Sequence, residues 1–160
     1  MISMNIIKKA GIVLLGIMLF VGCGSKELKT QVYEMNNNDI YMNVTLYYQD
    51  DVVKKQVSKT EIPYSSSLYG GASKEEIKEA VDNALKNSEG LEGLTDTVDY
   101  LEDKLVETIE LDYEKIDFDK AVKVFPDLFP DYNENADAKI KFVSFKKTDE
   151  NMIKEGFTKK

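Results

Sequence analysis

The sequence predicts an α+β fold: an antiparallel β-sheet built from a meander and hairpins, with helices packed mainly on one face, preceded by a signal peptide. Three patterns predict it. They are an acid-free apolar segment that ends at a single cysteine, stretches of alternating apolar residues, and one well-capped amphipathic helix. A chain of 160 residues is long enough for one domain with one core. We expect a signal peptide over 1–22, a lipidated tether over 23–29 and a single domain over 30–160.

The N-terminal segment has the features of an export signal. It contains no acid, and its apolar run over 10–22 is shorter than the roughly 20 residues that a spanning helix needs. The run ends in Leu-Phe-Val-Gly before Cys23, which resembles a bacterial lipobox, although Phe20 replaces the usual Leu. We therefore predict cleavage between Gly22 and Cys23 and a diacylglycerol on the Cys23 thiol. That anchor would hold the domain on the extracytoplasmic face of the cell membrane.

Alternation with a period of two predicts the strands. The first clear alternating apolar face consists of Ile40, Met42, Val44, Leu46 and Tyr48. An earlier strand over 28–35 and a turn over 36–39 precede it. After a turn at Asp50 and Asp51, which we expect to be solvated, a further strand has its apolar residues at Val53, Val57 and Ile62. A second hairpin has its apolar residues at Val98, Tyr100, Leu105, Ile109, Leu111 and Tyr113.

Capping signals predict the helices. Ser73 followed by Glu76 is a capping box, and an apolar stripe with helical spacing follows it. Asp117 can cap a short helix that Pro126 ends. A last helix begins at Ser144 and stops at Gly156, where Phe157 can fold back in a Schellman-like ending.

Composition excludes several classes of function. The chain has no His, no Arg and one Cys, so it can form neither a His-based catalytic triad, nor an imidazole metal site, nor an internal disulfide. Its formal net charge of −8 makes nucleic acid an unfavourable partner. All of its basic residues are Lys, which suggests an AT-rich genome and a Gram-positive cell. We expect no cofactor and no enzymatic activity.

Two motifs offer chemistry, and each has a simpler explanation. Asp131, Asn133, Asn135 and Asp137 match the opening of a calcium loop. The pattern lacks the central Gly and the final bidentate acid, so a polar connecting loop explains these residues better. Ser144 lies three residues before Lys147, as in some serine nucleophiles, but a helix N-cap explains Ser144 better.

Tyrosines are the remaining candidates for a binding face. Four of them could contribute to a groove for a peptide, a glycan or an envelope protein: Tyr41, Tyr47, Tyr64 and Tyr69. Tyrosines at alternating strand positions also occur as core edges and cross-strand pairs. We keep both interpretations.

Several segments together carry a family resemblance. They are CGSK at 23–26, KTEIPY at 59–64, SKEE at 73–76, DYEK at 112–115 within 106–115, and EGF at 155–157. With these motifs the chain resembles the YehR-type lipoproteins, small bacterial lipoproteins of unknown function. The resemblance implies a compact α+β domain on an antiparallel sheet and no assigned activity. Cys23 is the one functional position that it carries over.

Two classes of function remain open. The first is a membrane-anchored, non-catalytic module that binds a ligand or an envelope partner. The second is a hydrolase or metal-dependent enzyme that uses carboxylates and Lys, which needs a cleft with converging acids. A minor hypothesis is that residues 15–22 are released from the signal as a pheromone-like octapeptide.

Overall fold

The computed structural model describes residues 27–86, 89–124 and 142–160. Within these ranges it has seven strands: β1 (Lys29–Asn37), β2 (Ile40–Gln49), β3 (Val52–Pro63), β4 (Leu94–Tyr100), β5 (Lys104–Asp112), β6 (Val143–Ser144) and β7 (Thr158–Lys159). The helices of the same ranges are α1 (Lys74–Leu85), α2 (Phe118–Val124) and α3 (Phe145–Lys154), with a 3₁₀ turn at Ser67–Tyr69. The predicted α+β class is confirmed.

The strands form one antiparallel sheet in the order β4-β5-β3-β2-β1-β7, and β6 pairs separately with β3. β1, β2 and β3 form the predicted meander. Asn38 and Asp39 both have positive φ, at 47° and 71°, as a two-residue type I′ hairpin turn requires.

All three helices pack against the same face of the sheet, which we call the helix face. The core there has two apolar clusters. The smaller one joins α1 to the end of β3 and the start of β5, and comprises Ile62, Tyr69, Ile77, Val81 and Leu105. The larger one joins α2 and α3 to β1, β2 and the end of β5, and includes Tyr33, Val44, Leu46, Leu111, Ala121, Val122 and Met152.

The helix ends follow the predicted caps. Ser73 and Glu76 form both hydrogen bonds of the capping box, and Ser144 caps α3 by accepting from the Lys147 backbone N–H. At the end of α3, the Phe157 N–H donates to the Met152 carbonyl at 3.0 Å and the Gly156 N–H donates to that of Ile153 at 3.1 Å. These two bonds define the Schellman motif.

The prediction for β3 was partly wrong, because a β-bulge changes which residues face the core. Tyr48 pairs with Val53 but Tyr47 pairs with Lys55, so one extra residue of β3 lies between the two pairs. The bulge reverses the alternation beyond it. Val57 is therefore on the face opposite the helices, and β3 turns the polar residues Gln56, Ser58 and Thr60 into the core.

Asp51 is exposed in the β2–β3 turn, as expected, but it also makes specific contacts. Its carboxylate accepts hydrogen bonds from the Ser144 hydroxyl at 2.9 Å and from the Lys146 backbone N–H at 2.7 Å. Asp51 therefore supplies an acid to the N-terminus of α3, where the helix dipole favours negative charge. This contact ties the β2–β3 turn to the helix layer.

Candidate ligand-binding site

A line of polar side chains crosses the helix face between the two apolar clusters. We call it the polar seam, and it consists of Gln56, Ser58 and Thr60 on β3, Glu107 on β5 and Asp96 on β4. The pairing of β5 with β3 and with β4 places these residues in a line. Glu107 lies opposite Thr60 on one side and opposite Val98 on the other, while Asp96 lies opposite Ile109. Asp96 and Glu107 are thus diagonal neighbours on adjacent strands, within reach of one another.

One end of the polar seam is fully hydrogen-bonded. The Gln56 Nε2 donates to the Ser58 Oγ at 2.9 Å, and the buried Tyr113 hydroxyl donates to the Gln56 Oε1 at 3.2 Å. A buried amide with these partners costs little to keep in the core. This end is structural.

The other end is not satisfied. Of the described residues, three have a fully buried side-chain oxygen without a hydrogen-bond partner: Tyr64 and Tyr69, each through its hydroxyl, and Asp96 through Oδ1. Each such atom costs the folded state about 1–3 kcal/mol. Unpaired buried polar atoms are rare in native proteins and call for an explanation.

These atoms belong to one neighbourhood around Glu107, which is only 4% exposed. Burial raises the pKa of Tyr69, and the charges of Glu107 and Tyr64 raise it further. Burial also raises the pKa of Tyr100, as do its hydrogen bond to Asp82 and the charges of Tyr64 and Glu107. We call the group of Asp96, Glu107, Tyr64, Tyr69 and Tyr100 the acid–tyrosine cluster.

The two acids of the cluster hold protons unusually tightly. Burial raises the pKa of Glu107 to about 8, and the charge of Asp96 adds to the shift. Burial alone raises the pKa of Asp96 to about 6. Perturbed acids next to unpaired polar atoms are typical of functional sites, where protein groups are kept ready for a ligand.

Lysines of α1 lie on the outer side of the cluster. The Lys78 Nζ lies 3.9 Å from the centroid of the Tyr100 ring, and the Lys74 Nζ lies 4.8 Å from that of Tyr64. Lys74 also donates to the Leu101 carbonyl at 2.6 Å, and Lys78 pairs with Asp82 at 3.6 Å. Their charges are thus engaged with other groups.

The four tyrosines chosen from the sequence do not share one surface. Tyr41 and Tyr47 lie on the open face of the sheet, opposite the helices, and are half-buried. Tyr64 and Tyr69 lie after β3 with the smaller apolar cluster on the helix face. Only this second pair belongs to the acid–tyrosine cluster.

The open face carries ion pairs between its tyrosines rather than a continuous apolar patch. Lys55 pairs with Glu110 at 2.6 Å, and Lys160 pairs with Glu34 at 2.9 Å. In the described part of the chain, the exposed large apolar residues lie at three separate places: Leu28 before β1, Leu101 after β4 and Ile153 in α3. Such single residues do not make a docking surface.

The other site residues proposed from the sequence lie outside the described residues. They are Gly22 and Cys23, and the calcium-loop pattern at Asp131, Asn133, Asn135 and Asp137. Within 27–86, 89–124 and 142–160, no group of three or more His, Cys, Asp or Glu is placed to hold a metal ion. Nor does any helix in these ranges have the length and apolar character to cross a membrane.

Sequence reasoning missed the acids of the polar seam, although a signal was present. Glu107 interrupts the alternating apolar face of Leu105, Ile109 and Leu111. Asp96 is two residues before Val98, so the two side chains lie on the same face of the strand. A charged residue in the middle of a core-facing pattern is costly unless it is paired or functional. That interruption could have identified Glu107.

Comparison with known proteins identifies the family. Residues 29–158 match the family model described as "Protein of unknown function (DUF1307)". The chain belongs to this family. The match confirms the resemblance to YehR-type proteins, because the "Uncharacterized lipoprotein YehR" of Escherichia coli (strain K12) is 29% identical over 97 residues, 61% of each chain.

Other relatives are also named lipoproteins. The "Uncharacterized lipoprotein Lmo0207" of Listeria monocytogenes is 34% identical over 125 residues, which cover 76% of this chain and 79% of that protein. Lin0239 of Listeria innocua is 29% identical over 158 residues, or 96% and 97% of the two chains. The relatives therefore support a lipoprotein of unknown function.

Solved structures support the fold. The NMR structure of E. coli YehR has a TM-score of 0.64 at 21% identity and covers 83% of this chain and 91% of its own. An NMR structure of a Streptococcus pneumoniae TIGR4 protein has a TM-score of 0.53 at 14% identity, with 94% and 95% covered. At these identities the likeness concerns the fold alone.

Proposed function

We propose that this chain is a lipid-anchored extracytoplasmic binding protein without catalytic activity, whose ligand occupies the acid–tyrosine cluster. The observation that carries the binding role is the set of three buried oxygens without partners, on Tyr64, Tyr69 and Asp96. A bound polar ligand would supply the missing hydrogen bonds and recover the free energy that these atoms cost the empty domain. The half-buried Asp96 and Tyr100 give the cluster contact with solvent.

The anchor is the second part of the proposal. The lipobox-like sequence before Cys23 and the lipoprotein names of the relatives support lipidation at that residue. The anchor would place the domain outside a cytoplasmic membrane, with the residues between Cys23 and β1 as its tether. Cells fed labelled palmitate should label the chain and retain it in the membrane fraction, and Cys23→Ala should abolish the label. A Cys23→Ala chain that still takes up the label would contradict the anchor.

Binding can be tested on the protein from its own cells. The full chain, extracted from the envelope in a mild detergent, should show an extra mass in native mass spectrometry that disappears on denaturation. The extra mass should be reduced in a Tyr69→Phe chain and unchanged in Glu110→Gln, whose carboxylate lies on the open face. A bare mass for the wild-type chain under these conditions would contradict a tightly bound ligand.

An enzyme remains the second candidate, because Asp96 and Glu107 are neighbouring carboxylic acids with raised pKa values. Such a pair is the minimum for acid–base hydrolysis. Against it, the chain has no His, the side chain that most often serves as a general acid or base. Release of the 15–22 octapeptide would be a separate activity of the signal, and mass spectrometry of the culture medium tests it.

A further inference from the structure

The acid–tyrosine cluster also indicates what kind of ligand would fit, and this inference rests on the binding function proposed above. The charged groups that surround the three unpaired oxygens are mainly acids. Asp96 and Glu107 lie on the sheet, and Asp103 and Asp82 act on Tyr64 and Tyr100 at the rim. A ligand that brought negative charge here would face repulsion from the ionised acids and would make Glu107 still harder to ionise.

All three unpaired oxygens can accept a hydrogen bond from a ligand. The Asp96 carboxylate oxygen only accepts, and each tyrosine hydroxyl accepts as well as donates. A ligand with several donors can therefore bind all three. A primary ammonium group has three N–H donors and no acceptor.

The nearby lysines do not fill this role. Lys74 donates to the Leu101 and Glu102 carbonyls, and Lys78 pairs with Asp82 across the outer face of Tyr100. Both leave Tyr64, Tyr69 and Asp96 with unpaired oxygens. A divalent metal ion fits less well, because the cluster offers two carboxylates where hard cations take six or more oxygen ligands.

We propose that the acid–tyrosine cluster is a binding site for a primary ammonium group, held by Asp96, Glu107 and the Tyr64 and Tyr69 hydroxyls. The ligand would be a small amine, or the amino group of a larger molecule that reaches the cluster from the side of Asp96.

The probe is propylammonium chloride, with 1-propanol as a neutral molecule of similar size. Full-length protein in a neutral detergent is first dialysed under mildly denaturing conditions to release any resident ligand, refolded, and titrated at constant ionic strength. Two-dimensional ¹H–¹⁵N NMR follows the backbone amides of 94–100 and 104–109. We expect saturable shifts in these strands with propylammonium and none with propanol at the same concentrations.

Variants locate the site. Glu107→Gln should weaken binding at least about tenfold, because a bound ammonium group would favour the ionised form of Glu107 and the amide cannot supply that negative charge. Tyr69→Phe should weaken it several-fold and provides a second test if Glu107→Gln alters the fold. Glu110→Gln is the matched control on the same strand, and it should bind as the wild type does.

Each outcome decides one of the two proposals. Equal shifts with propanol, unchanged affinity in both site variants, or no saturable shift would overturn the ammonium proposal. If the protein from cells nevertheless carries a ligand without an amine, the binding function stands and only the ligand class is wrong. If the protein from cells is bare and propylammonium does not bind, both proposals fail.

Discussion

Glu107 gives the sharpest prediction for stability, because its carboxyl group is held in the core with a pKa of about 8 instead of its ordinary value of 4.5. Folding therefore favours the neutral acid. The stability that the protonated group allows is fully present below pH 4.5 and is lost as the pH rises through 8. From these two pKa values, ionisation of Glu107 costs the folded state about 3 kcal/mol at pH 7 and about 5 kcal/mol at pH 9.

Glu107→Gln tests this value, because the amide has nearly the same shape and no charge. The free energy of unfolding of the variant, minus that of the wild type, should rise by about 3 kcal/mol between pH 4 and pH 7. Urea unfolding followed by far-UV circular dichroism measures it, since the chain has no Trp. The difference between the midpoints should change by about 1–3 M urea over that range.

Only the change with pH enters the test, so a constant offset from the amide itself does not affect it. The control is Glu110→Gln, which removes a half-exposed carboxylate from the opposite face of the same strand. For this control, the free energy of unfolding of the variant minus that of the wild type should change little with pH. If the same difference in the free energy of unfolding does not change for Glu107→Gln between pH 4 and pH 9, the idea that this carboxyl is desolvated is refuted.

The other predictions concern the neighbours of Glu107 and the packing. Asp96→Asn should lower the pKa of Glu107 by removing a negative neighbour, which carboxyl-detected NMR titration can measure directly. Gly93→Ala should cost at least about 3 kcal/mol, because φ is +79° and the added Cβ would lie 2.6 Å from a backbone nitrogen. Gly90→Ala has the same φ in open space, so about 1 kcal/mol is expected there; equal losses for the two in urea unfolding would contradict the steric account. Met152→Ala should cost about 2–5 kcal/mol, whereas Ile153→Ala, 47% exposed on the same helix, should stay within about 0.5 kcal/mol; thermal unfolding compares them, and similar losses would argue against the packing of α3.

Much of the fold could be predicted from local sequence signals. The Ser73–Glu76 capping box and the Gly156 helix ending each depend on a few neighbouring residues, so the sequence is sufficient to recognise them. The type I′ turn at Asn38 and Asp39 likewise depends on a few neighbouring residues.

The β3 face and the acid–tyrosine cluster could not be predicted in this way. A single extra residue in β3 at the bulge reverses the faces of Val57 and Gln56, and simple alternation does not reveal it. The cluster depends on the pairing of β4 with β5 and on the placement of Tyr69 above them, which are long-range features. Glu107 was recognisable as an anomaly in its strand, but its partners were not.

The polar seam also divides the core, and this bears on how the domain unfolds. The apolar cluster beneath α1 is small and touches the larger cluster mainly through the half-buried Ile40, which packs against both. A boundary of charged and polar groups weakens the cooperativity between such units, so α1 should open by itself well below the free energy of global unfolding. A ligand in the seam would contact both sides, and its arrival would slow hydrogen exchange throughout α1 even though that helix supplies none of the proposed contacts.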